Sequence, residues 1–131
     1  MVRKITFRKD SAVVATQTQS TVINIDTAVE GNTRFRDILW ESGNMQVVAM
    51  SIPVGGEIGL EVHTEEDQLI KIESGRARVV FGNNENQLNY ERTVDDDFAV
   101  IIAAGTWHNV YNSGDEPLKL LTVYAPPHNI I

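Results

Sequence analysis

Seven clusters of turn-forming residues, "ESGN", "PVGG", "ESG", "FGNNEN", "VDDD", "AAG" and "NSGDEP", cut the chain between Glu41 and Pro117 into short runs rich in Val, Ile, Thr and aromatic residues. Each cluster combines residues that accept tight-turn backbone angles, and each run is of strand length rather than helix length. Many short strands at this spacing predict an all-β sandwich or barrel. Helix signals are scarce. The best, "DTAVEGN", offers Asp26 as an N-cap and Gly31 as a stop, enough for a turn or two. A chain of 131 residues is of single-domain size and can bury roughly two thirds of its unfolded surface.

Period-two alternation assigns faces to the runs. In "QLIKIE", Gln68, Ile70 and Ile72 share the face expected to point inward, while Leu69, Lys71 and Glu73 share the other. "FAVIIAA" and "LKLLTVYA" are apolar on both faces, which asks for cover on both sides, either by a second sheet and a terminal strand or by another subunit; a homodimer is the expectation. Arg3, Lys4, Arg8 and Lys9 punctuate the first apolar pattern as charges on an edge strand do.

Composition excludes several functions. A formal net charge of -7 disfavours nucleic acid or an anionic membrane as partner. With no cysteine, disulfides, thiolate metal sites and thiol nucleophiles are ruled out. No run of eighteen apolar residues and no signal-peptide core occurs, so a cytoplasmic protein is expected. No G-x-S-x-G elbow, phosphate-binding glycine loop or H-E-x-x-H helix is present.

Two of the three histidines lie in segments that a small barrel can bring together. His63 stands in "GGEIGLEVHTEEDQLIKIESG" and His108 in "DFAVIIAAGTWHNVYN", with about one hairpin of chain between the segments. The first segment places Gly55, Glu61, His63, Gln68 and Gly75, and the second Asp97, Ala103, Gly105, His108 and Asn112, at the spacing of the two motifs of the cupin superfamily. On these residues the chain resembles a small single-domain cupin of the mannose-6-phosphate isomerase-like type, a further likeness resting on "AGTWHNVYN", "GDEPLKL" and "YAPP". The resemblance implies a double-stranded β-helix, or jelly-roll, barrel over about residues 35–127, with N-terminal strands over 1–34, the whole of 1–131 being one cupin domain.

It also implies that Glu61, His63, Gln68 and His108 converge on one divalent ion. Compared with the family pattern, Glu61 replaces a histidine and Gln68 a glutamate, so the set keeps one negative charge while the carboxylate moves to the first strand. Zn, Fe, Mn or Ni suits such donors, with Zn favoured. Gln68 either ligates directly or holds a metal-bound water. Asp97 and Ala103, in place of a glycine and a proline, concern turns alone.

The functional expectation is a metal-dependent enzyme on a small oxygen-rich molecule, with sugar or sugar-phosphate isomerisation implied by the resemblance. A non-catalytic metal- or ligand-binding module and an Fe(II)-dependent dioxygenase are the alternatives. A phosphate substrate needs a cation facing inward, and since Lys71 falls outward, Arg34, Arg36, Arg76 or Arg78 would have to provide it. Glu65, Glu66 and Asp67 read as a solvated loop and Asp95, Asp96 and Asp97 as a turn. Trp107, Tyr111 and Tyr124 read as core or interface. His128 follows "APP" in the tail, where the sequence argues only weakly against a non-structural role.

Overall fold

The computed structural model describes Thr6–Phe7, Ala15–Thr16 and residues 19–128. The expected edge-strand placement of Arg3, Lys4, Arg8 and Lys9 lies outside the described residues. Near the start, β1 (Thr6–Phe7) pairs antiparallel with β2 (Ala15–Thr16). The remaining strands are β3 (Asp37–Glu41), β4 (Gln46–Ile52), β5 (Glu61–Val62), β6 (Asp67–Ser74), β7 (Ala77–Gly82), β8 (Tyr90–Val94), β9 (Ala99–Ile102), β10 (Trp107–Asn112) and β11 (Leu118–Ala125). They form a five-stranded sheet in the order β3-β4-β11-β6-β9 and a four-stranded sheet in the order β5-β10-β7-β8. This is the jelly-roll expected from the alternation of short runs and turns.

The core is what the parity argument predicts. Ile70 and Ile72 of β6 are fully buried, as are Val48 and Ile52 of β4 and Leu118 and Leu120 of β11. They meet Ala77, Val79 and Val110 of the opposite sheet in one cluster. Truncating such a side chain to alanine removes about 2–5 kcal/mol. The outward residues of the larger sheet are covered unevenly: Leu69 is 37 % exposed and Ile101 71 %. Part of the cover comes from a single helical turn, Asp26–Glu30, whose Val29 is fully buried and which packs on β4, β6 and β11. Its cap differs from the expectation. Asp26 is the first helical residue rather than the N-cap, and the Asn24 Oδ1 accepts the Thr27 N–H at 3.1 Å. Gly31 ends the turn as expected.

Two crossings between the sheets lie together at one end of the barrel. Gly75, between β6 and β7, has φ +94, and a Cβ there would stand 3.0 Å from both the Pro117 carbonyl oxygen and the Leu118 Cα. Only glycine meets both demands. The β10–β11 crossing is fastened by Asn112, whose Nδ2 donates to the carbonyls of Ile52 and Glu116 at 3.0 and 2.9 Å, while its Oδ1 accepts the Gly114 N–H at 2.9 Å. The glycine and asparagine of the two motifs are thus structural, and they leave the other end of the barrel to the polar residues.

Candidate metal centre

At that other end the inward residues turn polar. Across the large sheet Gln46, Tyr124, Gln68 and Ile102 stand in register, and across the small one Glu61, His108 and Phe81 do. Placing Glu61 opposite His108 is a consequence of β5 pairing with β10. His63 follows β5 directly, and its carbonyl accepts the Gly105 N–H at 2.7 Å, which ties the first motif to the turn that delivers His108. Gly105 makes that turn with φ +86.

Glu61 sits between the two imidazoles. Its Oε1 is 3.2 Å from His63 Nε2 and 3.6 Å from His108 Nε2, the second an ion-pair distance rather than a hydrogen bond. Burial opposes ionisation of Glu61, but the polar contacts with His108 and His63 and their charge outweigh it and hold the carboxyl down at about 2. On its far side His108 Nδ1 is 2.9 Å from the Thr106 carbonyl oxygen, so Nδ1 carries the proton there and donates it. His108 Nε2 is buried without a hydrogen-bond partner.

Gln68 is also buried. Its Nε2 donates to Thr122 Oγ1 at 3.0 Å, and its Oε1 has no partner. Tyr124, read from the sequence as core or interface, is buried and places its ring edge-on to His63 with centroids 5.6 Å apart. Burial pushes its hydroxyl pKa up, and the nearby Arg36 guanidinium pulls the other way. Arg36 is the arginine that reaches inward: Nη1 donates to Tyr124 Oη at 3.2 Å and Nη2 to Gln46 Oε1 at 3.1 Å. Arg78 pairs with Glu91 at 3.1 Å and lies over Tyr111, and Lys71 donates to the Asp96 carbonyl at 2.7 Å.

Two residues here were not assigned to the site from the sequence. Glu66 is not a solvated loop charge: its side chain is 13 % exposed, and its Oε1 lies 3.2 Å from His63 Nδ1 and 2.7 Å from His128 Nδ1. His128 folds back from the segment after β11 to stack on Tyr124, with ring centroids 5.0 Å apart and planes 26° apart. The signals were present but slight, namely a glutamate three residues after His63 and a histidine just past the strand that ends beside the site. By contrast Glu65, Asp67 and the Asp95–Asp97 turn are exposed, as read. A cavity of about 540 Å³ opens at this end, bounded by His63, Thr64, Glu66, Pro126, Pro127 and His128.

These donors suit a divalent ion. One orphaned buried atom, His108 Nε2, faces the Glu61 carboxylate beside a second imidazole, and a second, Gln68 Oε1, belongs to the same polar layer of the barrel. Such nitrogen and oxygen ligands bind zinc and its first-row neighbours. Among the described residues no helix is long and apolar enough to cross a membrane.

Comparison with known proteins agrees with the geometry. Residues 48–124 match the family described as the cupin domain. The chain is 47% identical over 108 residues to the uncharacterised protein YrkC of Bacillus subtilis, a match covering 82% of this chain and 58% of that protein. The chain thus spans under two thirds of that relative's length. A crystal structure from Bacillus halodurans superposes with a TM-score of 0.84 at 45% identity, covering 86% of this chain and 85% of that one. A Klebsiella pneumoniae protein with a double-stranded β-helix domain superposes with a TM-score of 0.68 at 25% identity, covering 82% and 91%.

Proposed function

This chain belongs to the cupin family, and from that premise we propose that it is a divalent-metal-dependent enzyme acting on a small oxygen-rich molecule. The observation that carries the reading is the inner face of His108. Its Nδ1 proton is committed to the Thr106 carbonyl, so a partnerless Nε2 faces the Glu61 carboxylate at 3.6 Å. A lone pair facing a carboxylate at the edge of a buried site calls for a proton or a cation between them. A cation held by Glu61, His63 and His108, with Gln68 as fourth ligand or as the group that orients a bound water, meets that need. Bound there, a divalent ion polarises a carbonyl or activates water.

The chain's own residues shape the rest of the chemistry. Glu66 and the Thr106 carbonyl hold the Nδ1 atoms of His63 and His108, which turns both Nε2 atoms toward Glu61. Phe81 and Ile102 stand in register with His108 and Gln68, and Arg36 provides a cation behind Tyr124. The cavity of about 540 Å³ beside His63, Glu66 and His128 is of a size for a sugar-like molecule. In its finer form the reading is isomerisation of a sugar or sugar phosphate with zinc as the ion, in a cytoplasmic homodimer whose exposed Leu69 and Ile101 meet a second copy. Arg36 is what favours an anionic substrate.

Elemental analysis of protein purified without chelators, set beside the Glu61→Ala, His108→Ala double variant, tests the site. Stoichiometric metal in the first and its loss in the second is expected; equal content in both would refute the site. A screen of sugar phosphates, diketones and thiols with Zn, Fe(II), Mn and Ni then tests turnover. Tight binding without product under every metal would favour a non-catalytic module, and oxygen uptake with Fe(II) alone a dioxygenase.

A further inference from the structure

Glu66 does something that a charge at the mouth of a barrel has no need to do: one of its oxygens faces the Nδ1 atoms of two different histidines. His63 Nδ1 is 3.2 Å away and His128 Nδ1 2.7 Å, and the carboxylate side chain is largely buried. His63, whose Nε2 meets the Glu61 carboxylate, stands at an ion-pair distance from Glu66. A carboxylate oxygen can only accept, so His128 donates from Nδ1 and keeps Nε2 free. That is the arrangement in which a carboxylate orients an imidazole for a metal ion, fixing tautomer and ring plane from behind.

His128 stands where this would matter. One ligand atom each from Glu61, His63 and His128 lie within 4.8 Å of one another. The His128 ring is 4.4 Å from that of His63, centroid to centroid, at 74°, and it stacks on Tyr124 at 5.0 Å. Ring packing, the Glu66 bond and the convergence with Glu61 are three separate restraints on one side chain. A histidine that only decorated the segment after β11 would have no reason to satisfy all three.

We propose that His128 is a ligand of the ion, an imidazole carried by the Pro126–Pro127–His128 segment and folded back over the mouth of the barrel. The proposal rests on the reading that this site holds a divalent metal. It groups His128 with Glu61 and His63, the donors that lie within 4.8 Å of one another, with Glu66 orienting the His128 ring. It also makes the segment after β11 part of the metal centre.

Co(II) titration tests this, because the visible d–d absorption of the bound ion reports its ligand set and competition against a chromophoric chelator reports affinity. Three proteins are compared: the wild type, His128→Ala, and His128→Phe, which keeps an aromatic ring against Tyr124 without a nitrogen. Thermal unfolding of the metal-free forms shows whether each variant is folded. Both variants are expected to lose at least roughly tenfold in Co(II) affinity, the lower bound for losing even an orienting partner, and to share an altered d–d spectrum. A wild-type spectrum and affinity retained in both variants would overturn the role of His128 while leaving the metal site intact. Failure of the wild type to take up Co(II) would instead overturn the metal reading, and the proposal with it.

Discussion

Replacing Glu66 with alanine removes one oxygen on which two rings depend. In the structure that oxygen stands 3.2 Å from His63 Nδ1 and 2.7 Å from His128 Nδ1. Losing an orienting carboxylate behind one metal-bound imidazole lowers metal affinity by about 10- to 100-fold, or about 1.4–2.8 kcal/mol. The hydrogen bond goes to His128 and His63 stands at an ion-pair distance, so a loss of at least roughly tenfold is expected. Glu66→Gln keeps a carbonyl acceptor at the same reach and should recover most of it. Stability of the metal-free fold should change far less, by about 1 kcal/mol, because the His128 side chain is partly open to solvent. Zinc affinity is measured by chelator competition and the metal-free stability by urea unfolding. A double-mutant cycle adds a sharper reading: Glu66→Ala and His128→Ala should cost less together than the sum of their separate costs, since each removes part of the same contact. If Glu66→Ala binds zinc as tightly as the wild type, Glu66 orients nothing and the reasoning fails.

Gln68→Met keeps the volume and removes the amide. Metal-free stability should fall by about 1–3 kcal/mol, because the buried Thr122 hydroxyl loses its partner, while zinc affinity drops several-fold; unchanged affinity would reduce Gln68 to a partner of Thr122. Asn112→Ala removes three hydrogen bonds at the β10–β11 crossing and should cost about 2–4 kcal/mol, seen as a melting temperature lower by roughly 10 °C. A loss near zero would mean that solvent replaces the asparagine without cost.

Parity along single strands made much of the fold legible. The inward placement of Gln68, Ile70 and Ile72 follows from period two once one residue is known to be buried, and turn clusters set the strand ends. The resemblance to the two cupin motifs implied one site for Glu61, His63, Gln68 and His108; in the structure Glu61 and His108 are cross-strand partners and one backbone hydrogen bond joins His63 to the β9–β10 turn, while the donors within 4.8 Å of one another are those of Glu61, His63 and His128. What escaped was carried by segments without periodicity. Glu66 sits in a loop where the general rule says solvent, and only its contact with His63 overrides that rule. His128 lies past the last strand, where no alternation constrains the direction of a side chain. The helical turn starts before the capping residue the sequence offers: the N-cap position falls at Ile25, and Asn24 rather than Asp26 accepts the Thr27 N–H.

Glu61 distinguishes a site held together by protons from one held together by a cation. Its carboxyl is lowered from 4.5 to about 2, so its contribution to metal-free stability is present above 4.5 and lost as pH falls through about 2. The shift caps that contribution at about 3 kcal/mol, and with the side chain 31 % exposed, solvent screening brings it nearer 1–2 kcal/mol. The difference in stability between the wild type and Glu61→Gln, measured by urea unfolding with chelator present, should therefore shrink as pH falls from 4.5 toward 2. Saturating zinc should enlarge that difference at neutral pH, because the ion binds the carboxylate itself and binding to the folded state adds to stability. A difference that stays the same with and without zinc would mean that the two imidazoles alone hold Glu61, and that no ion belongs there.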